Sequence, residues 1–451
     1  MMAIRQAVIL AGGQGTRLAS RLAGAPKPLV DVDGMPLLKR QLHILAHHGF
    51  THVLMLVNYR ADAINEFCAS AGIEGIRVDV VQDGGGARGT AGAVWDAAHL
   101  LHDRFLVVYG DTLFDVDLDR FWKAHAKAHE ERGVGGSLFL HPNDHPYDSD
   151  LVEMDETGMI RAFLPKPHAK GAFHRNMVNA ALYVLDKSIL NTLPLGDGIV
   201  DFGKDLFPRA LGAGVALQGY STFEYIKDIG TPDRLDRAVT DLRSGKIARS
   251  RLDWPQRAVF LDRDGTLNNP NGHIATPEAL RLFDGVGKAI ARLNRAEYRC
   301  VLITNQPVLA RGEVTAQGLE AIHAKLETEL GRSAAFLDAT YVCPHYPEAG
   351  FLGEVPELKI ACDCRKPAPG LLQRAITDLS IDPAQSWMIG DSEADVGAAR
   401  AAGVSSILVR TGGFDSANFV VRPDVEVEDL AAAVDFILNH HNVFSKSAIH
   451  S

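Results

Sequence analysis

Short, almost uninterrupted apolar runs recur along the chain, and each closes on a loop crowded with Gly or Asp. Two of them restart the pattern: "QAVILAGGQGTRL" at Gln6–Leu18 and "RAVFLDRDGTLN" at Arg257–Asn268. After each restart, strand-like runs such as "HVLMLV", "RFLVVYG", "CVLITN" and "SWMIGD" alternate with helical stretches such as "LLKRQLHILAHHG" and "GLEAIHAKLETEL". Apolar residues three and four apart line one side of a helix, whereas a short continuous apolar run suits a strand covered on both faces. Strand–helix alternation predicts mainly parallel sheets with helices on both sides. Two α/β domains are expected, over residues 1–243 and 257–438, with a polar, aperiodic linker at 244–256 and a loose tail at 439–451. Ligands of such sheets lie at the carboxyl ends of the strands, where the Gly- and Asp-rich loops fall.

Composition narrows this only a little. A chain of 451 residues exceeds one ordinary domain, and 46% hydrophobic with 23% charged residues is typical of a globular protein. A net charge of −10 with interspersed signs argues against a nucleic-acid partner. No apolar run reaches the ~18 residues of a membrane-spanning helix, and glycines break the apolar N-terminal stretch before a signal core forms. Five cysteines, with Cys68 isolated and Cys300 inside a strand-like run, make no disulfide framework. The expectation is a cytoplasmic, enzyme-like chain with no membrane partner; homo-oligomer formation stays open.

The first restart carries a candidate phosphate loop. Gly12, Gly13 and Gly15 follow the strand and let backbone N–H groups approach phosphate oxygens, and Arg17, after Thr16, adds a bidentate cation. The spacing is neither GxxxxGK[ST] nor GxGxxG. Ten residues on, "APKPLVDVDGMP" sets Lys27 between Pro26 and Pro28, which stiffen its backbone. With "GTAGA", "GDT", "NAALYV" and "DIGTP" further along, the stretch Ala3–Leu242 resembles the sugar-1-phosphate nucleotidyltransferases. "DFGKDLFP" at Asp201–Pro208 looks most like the D-glycero-D-manno-heptose 1-phosphate guanylyltransferases. The resemblance implies that Leu10, Gly12, Gly13, Gly15, Thr16, Gln82, Gly89, Thr90 and Gly92 bind the nucleotide, while Arg17 and Lys27 stabilise charge during transfer. It also implies that Asp111 and Asp228 hold Mg²⁺, and that Asp111, Lys166 and Asn179 meet the sugar phosphate. A sugar-phosphate oxygen then attacks the α-phosphorus in line and pyrophosphate leaves, with no protein nucleophile. Two departures bear on specificity. Pro165 stands where the family has Glu before the lysine, and "QDGGGAR" at Gln82–Arg88 replaces an acidic run where the base is recognised. As residues alone, Asp111 could cap a helix and Lys166 could be a surface lysine.

In the second restart, "FLDRDGTLN" sets Asp262 and Asp264 two apart at the end of an apolar strand, which would turn both carboxylates to one face. Such crowding needs a cation or a proton, and a nucleophile with a general acid beside Mg²⁺ meets that need. "VLIT" ending at Thr304, "CRKP" with Lys366, and "MIGDSEAD" with Asp391 and Asp395 follow in order. In this order, Arg257–Leu438 resembles the haloacid-dehalogenase phosphatases. The resemblance implies that Asp262 becomes an aspartyl-phosphate, while Asp264 protonates the leaving oxygen and then activates water. Thr304 and Lys366 would bind the phosphoryl oxygens, and Asn305, Arg311 and Arg365 would also meet the sugar phosphate. Asp262, the Asp264 carbonyl and Asp391 would hold Mg²⁺, with Asp395 in support.

Cys343-x-His345 and, after sixteen intervening residues, Cys362-x-Cys364 offer four ligands suited to tetrahedral Zn²⁺. Four protein ligands leave no open position, so this zinc would be structural and would fix Arg365 and Lys366, which follow at once. The pattern is similar to the heptose 1,7-bisphosphate phosphatases and to the histidinol-phosphatases, and the long gap favours the former. Pro307 and Val308 in "TNQPVLARG" and Ser392 in "GDSEAD" depart from the usual residues. The two resemblances name consecutive steps and so imply one bifunctional α/β enzyme acting on heptose phosphates and GTP. Its fold would be two Rossmann-like domains, an N-terminal nucleotidyltransferase sheet and a C-terminal haloacid-dehalogenase-like domain with a zinc loop, both using Mg²⁺. The alternative is a mannose- or glucose-1-phosphate nucleotidyltransferase joined to a phosphatase of another substrate.

Overall fold

The structure, a computed structural model, describes residues 5–82, 88–192, 198–270 and 272–447. The chain divides into two compact units. The first holds the chain up to His141, Asp150–Lys166 and Met177–Arg251; the second holds Pro142–Ser149, Pro167–Asn176 and the chain from Leu252 onward. The two short excursions into the second unit have no mark in the local apolar pattern, because tertiary contact alone decides them. Residues 83–87 of the stretch expected to meet the base lie outside the described residues.

The first unit is built on a nine-stranded sheet. Arg5–Leu10, Phe50–Val57, Arg77–Gln82 and Arg104–Tyr109 run parallel, with Arg5–Leu10 between Phe50–Val57 and Arg104–Tyr109. The apolar runs become these strands because both faces are covered: Val8 joins one core cluster, and Ala7 and Ile9 join the other. The sheet is mixed rather than mainly parallel. Val178–Asp186 pairs antiparallel with Arg104–Tyr109, Gly136–His141 and Leu151–Met154, and Ile160–Leu164 pairs antiparallel with Leu151–Met154. Helix Leu37–His47 buries Leu38, Leu42 and Leu45, as its three- and four-residue spacing requires. Helix Leu118–Arg132 begins where Asp117 accepts a hydrogen bond from the Arg120 N–H at 2.9 Å and ends at Gly133 in the left-handed conformation.

Buried Glu224 accepts from the Asp117 N–H at 2.7 Å and lies 3.1 Å from the Thr222 hydroxyl. Burial pushes its carboxyl up to about 7 despite those bonds. A carboxyl that unfolds to ~4.3 is then still protonated in the native state while the unfolded chain has lost its proton. Stability therefore falls as pH rises from about 4.3 to 7, and the loss is complete above 7. Glu224→Gln is expected to flatten this dependence relative to wild type and to stabilise the first unit at pH 8 by about 1–3 kcal/mol. Paired thermal unfolding curves at pH 5 and pH 8 measure it.

The second unit carries a six-stranded, wholly parallel sheet. Its order is Ala339–Cys343, Arg299–Asn305, Ala258–Leu261, Trp387–Gly390, Ser405–Val409 and Val425–Val427. Core clusters lie on both sides, one around Leu261 and Leu302, the other around Phe260 and Ile303. A short helix, Lys246–Arg249, stands in the stretch expected as a linker. The expected tail begins inside helix Leu430–Ser447, which buries Leu430, Ala433, Val434 and Ile437 against the sheet and then propagates to Ser447. Residues 448–451 lie outside the described residues. No described helix is long and apolar enough to cross a membrane.

Candidate active sites and a candidate metal centre

In the second unit, three neighbouring strands end at one edge and deliver Asp262, Thr304 and Asp391. Lys366 is fully buried there and donates to Asp262 Oδ1 and Asp395 Oδ1, each at 2.5 Å, and to the Ile303 carbonyl at 2.9 Å. Ligand oxygens of Asp262, Asp391 and Asp395 all lie within 4.8 Å of one another. Gly265, at φ +85, is what admits Asp391: a Cβ there would stand 2.1 Å from its Oδ2. Three buried carboxylates thus crowd together, and one lysine bonds to two of them. Burial pushes Asp262 up to about 7, against the pull of Lys366 and with the help of Asp395 and Asp264. Burial, Asp262 and Asp395 push Asp391 up to about 8. Burial opposes the charge of Lys366, but the two carboxylates outweigh it and raise its pKa. The surplus negative charge is what a divalent cation would cancel, so these residues fit Mg²⁺.

Asp264 is placed differently from the expectation. The strand closes at Leu261, so Asp262 and Asp264 do not behave as alternate residues of one strand face. The Asp264 carboxylate instead accepts from Arg263 at 3.0 and 2.8 Å, and from Asn268 and Gln306 at 3.0 Å each. These partners overcome burial and hold it below the usual carboxylate range. Crowding at Asp262 comes more from Asp395 than from Asp264. Asp395 also accepts from the Ser392 N–H and hydroxyl, closing the first turn of helix Glu393–Ala402. Asn305 spends its amide on the Lys366 backbone, accepting from its N–H and donating to its carbonyl at 3.1 Å each. Thr304 Oγ1 accepts from Gln306 at 2.8 Å.

The Cys/His loop gathers as its spacing suggested. Cys364 Sγ lies 3.2 Å from Cys343 Sγ, from Cys362 Sγ and from His345 Nδ1, and Cys343 and Cys362 are 3.6 Å apart. A tetrahedron with ligands at 2.0–2.3 Å has edges of roughly 3.3–3.8 Å, so the four atoms fit one zinc ion. Burial raises the thiols of Cys343 and Cys364; at Cys362 burial is outweighed by hydrogen bonds from Cys364 and Cys343, and its thiol is lowered. Beside this loop, the guanidinium groups of Arg311 and Arg365 both lie over the Tyr346 ring, at 4.3 and 4.9 Å. Arg311 also lies 4.6 Å from the Phe351 ring centre and donates to His273 Nε2 at 2.7 Å; Arg365 donates to the His345 carbonyl at 3.3 Å.

In the first unit, Leu10 ends its strand, and Gly12, Gly13, Gly15 and Thr16 form the loop beyond it. Gly230 marks where the charged ends converge. A Cβ built on it would lie 2.8 Å from Asp228 Oδ1, 2.9 Å from Lys27 Nζ and 3.4 Å from Arg17 Nη2. Lys27 pairs with Asp111. Asp228 ends a strand paired with Thr112–Asp115, in register with Thr112, and so stands beside Asp111; the Ile229 N–H donates to the Asp111 carbonyl at 3.0 Å. Two adjacent carboxylates held by side-chain cations fit a divalent ion with phosphates. A methyl at residue 230 would push flexible side-chain ends rather than backbone, so the fold would tolerate it while the charges move. Gly230→Ala is expected to cut nucleotidyl transfer by about 10²-fold with little change in unfolding temperature, read by pyrophosphate release and thermal melting.

Other expected residues form a second group. Thr90 donates through its N–H and hydroxyl to Asp201 Oδ1 at 3.3 and 3.1 Å, beside Gly89 and Gly92 on helix Gly89–Asp96. Asp150 accepts from the Lys166 N–H through its carboxylate and from the Asn179 N–H through its carbonyl, at 3.1 and 3.3 Å. A register shift in strand Val178–Asp186 falls between Asn179 and Tyr183, and Asn179 Oδ1 accepts from the Ala181 N–H at 3.1 Å. The Phe202 N–H donates to Thr90 Oγ1 at 3.1 Å, and a Cβ on the next residue, Gly203, would lie 3.5 Å from Asn179 Nδ2, which links these residues. Gln82 ends strand Arg77–Gln82, outside both groups. The sequence gives no individual sign of Arg263, Tyr346, Asp201 and Arg234, whose neighbours are set by tertiary structure, whereas Gln306 stands within "TNQPVLARG" beside Asn305.

A nucleotidyl transferase family model matches residues 6–245, more than half the chain, and a HAD-hydrolase-like model matches residues 363–433. D-glycero-beta-D-manno-heptose-1,7-bisphosphate 7-phosphatase of Haemophilus ducreyi is 41% identical over 184 residues, covering 40% of this chain and 98% of its own. The D-glycero-D-manno-heptose-1,7-bisphosphate 7-phosphatase of Thermosynechococcus vestitus is 41% identical over 194 residues, covering 41% of this chain and 97% of its own. Among solved structures, HddC from Yersinia pseudotuberculosis is 26% identical with a TM-score of 0.44, over 53% of this chain and all of that one. The chain therefore belongs to the nucleotidyl transferase family through its first half and, through its second, to the HAD-like family of those 7-phosphatases, and it is an enzyme that joins a nucleotidyltransferase to a phosphatase.

Proposed function

We propose that the chain removes the C7 phosphate of D-glycero-D-manno-heptose 1,7-bisphosphate and then joins GMP from GTP to the heptose 1-phosphate, giving GDP-heptose and pyrophosphate in the cytoplasm. The observation that carries the first step is the buried set of Asp262, Asp391, Asp395 and Lys366, standing in a chain that also gathers Cys343, His345, Cys362 and Cys364. An Asp262 oxygen bonds to phosphorus as the bond to the sugar oxygen breaks, and Lys366 and Thr304 hold the phosphoryl oxygens. A dianionic phosphate beside Asp264 raises its pKa, which lets a carboxyl otherwise held low by Arg263 carry the proton that the leaving oxygen takes. Asp264 then accepts a proton from the water that attacks phosphorus and frees phosphate. Asp262, the Asp264 carbonyl and Asp391 would hold Mg²⁺, whose charge would offset that of the phosphoryl oxygens. Zinc at the four Cys/His ligands would hold the loop from which Arg365 and Lys366 emerge, and Arg311 and Arg365 would meet the phosphate that stays on the sugar.

For the second step, Arg17 and Lys27 offset charge on the triphosphate, Asp111 and Asp228 would hold Mg²⁺, and Lys166 and Asn179 orient the sugar phosphate. Guanine is the base that Asp201–Pro208 implies. The test offers the 1α,7- and 1β,7-bisphosphates in turn, and then GTP, ATP, UTP, CTP and dTTP with the product. Faster hydrolysis of the α anomer followed by GTP-dependent pyrophosphate release is the expected result. Preference for a hexose 1-phosphate or another nucleotide would replace the heptose–guanine reading.

A further inference from the structure

Asp228 is not waiting alone for its cation. Its Oδ1 accepts from the Gly230 N–H at 2.6 Å, and its Oδ2 is paired with Arg234 at 2.5 Å. Arg234 is the third residue of helix Pro232–Arg243, whose first turn is closed by the Thr231 hydroxyl accepting from the Arg234 N–H at 3.4 Å. The Arg234 side chain is 46% exposed, so it is free to swing. Asp111, meanwhile, is paired with Lys27. The charges gathered here are two carboxylates, Asp111 and Asp228, and three cations, Arg17, Lys27 and Arg234. Their sum is already +1, and a divalent ion alone would raise it to +3. A polyanion makes that arrangement more favourable, because repulsion from the close cations opposes a bare divalent ion.

We propose that Arg234 is a positioning residue of the transferase site: it holds Asp228 beside the phosphate loop until a divalent ion takes the carboxylate, and the guanidinium so released then faces the incoming triphosphate. The exchange makes ion and nucleotide bind together, since each removes the electrostatic obstacle to the other. This rests on the reading of Asp111 and Asp228 as metal ligands. Arg234 acts on the ion by competing with it and on the nucleotide by attracting it, so its loss moves the two affinities in opposite directions. A residue with a merely structural role would weaken both or neither.

The experiment uses the full chain carrying Asp391→Asn throughout, which removes a carboxylate from the second unit's ion site. Binding of Mn²⁺ without nucleotide is followed by electron paramagnetic resonance, and KM for the nucleotide by pyrophosphate release. Arg234→Gln is expected to tighten Mn²⁺ binding about 2–5-fold and to raise the nucleotide KM about 5–10-fold, with a smaller change in kcat; Arg234→Lys is expected to restore part of both. Asp228→Asn is the comparator and is expected to weaken Mn²⁺ binding. If Asp228→Asn leaves Mn²⁺ binding unchanged, the metal reading itself fails. If Asp228→Asn weakens it while Arg234→Gln leaves Mn²⁺ binding unchanged or weaker, the competing role of Arg234 is overturned. Tighter Mn²⁺ with an unchanged nucleotide KM overturns the release toward phosphate.

Discussion

Asp262→Asn is expected to lower phosphate release by roughly 10⁴-fold or more, while pyrophosphate-forming transfer to a supplied sugar 1-phosphate continues. Asn has nearly the shape of Asp, so Lys366 keeps a polar neighbour and its contact with Asp395. What disappears is the oxygen that bonds to phosphorus. The same change removes one of three carboxylates crowded around one lysine, the crowding that, with burial, raises Asp262 and Asp391. The variant should therefore melt no lower than wild type in metal-free buffer, and the thermal shift is the check that loss of activity is not loss of fold. A variant that keeps wild-type phosphate release would remove Asp262 from the chemistry.

Removing the zinc proposed for the Cys/His loop should produce the second large effect. Chelation, or Cys364→Ser, is expected to release one zinc per chain and to lower phosphate release by about 10²-fold or more. Burial favours the neutral thiol at Cys343 and Cys364, so without a cation the thiolates needed as ligands are costly, and losing one loosens the whole set. Arg365 and Lys366 follow Cys364 directly, and Lys366 must place its Nζ between Asp262 and Asp395. A shift of the loop by an ångström therefore moves the phosphate-binding cation. Metal content by plasma emission spectrometry and phosphate release are to be read on the same sample. Unchanged activity in a metal-free sample would leave the loop without a part in the site.

Much of this was legible because local rules and tertiary structure agree. Asp262, Lys366 and Asp391 sit where strand ends and loops bring them, and the C-x-H and C-x-C spacings bring four candidate ligand atoms to the corners of one tetrahedron. The direction of Asp264 was not legible, because the strand stops at Leu261 and the buried Arg263 between the two aspartates claims the second carboxylate. Asp395 looked like a supporting residue, yet it shares Lys366 with Asp262 while closing its own helix. The antiparallel half of the first sheet was hidden for another reason: strand direction depends on partners far along the chain, such as Val178–Asp186 against Arg104–Tyr109. Arg234 lies on a helix turn that gives no hint of Asp228.

One chain is expected to perform two consecutive steps. The most direct measurement incubates the intact protein with the 1α,7-bisphosphate, Mg²⁺ and GTP, and follows phosphate, pyrophosphate and nucleotide sugar by mass spectrometry, with Asp262→Asn in parallel. The expected result is phosphate first, then equal amounts of pyrophosphate and GDP-heptose, with both absent from the Asp262→Asn sample until heptose 1-phosphate is supplied. Nucleotide sugar formed from the bisphosphate without prior phosphate release, or phosphate release with no transfer from GTP, would contradict it.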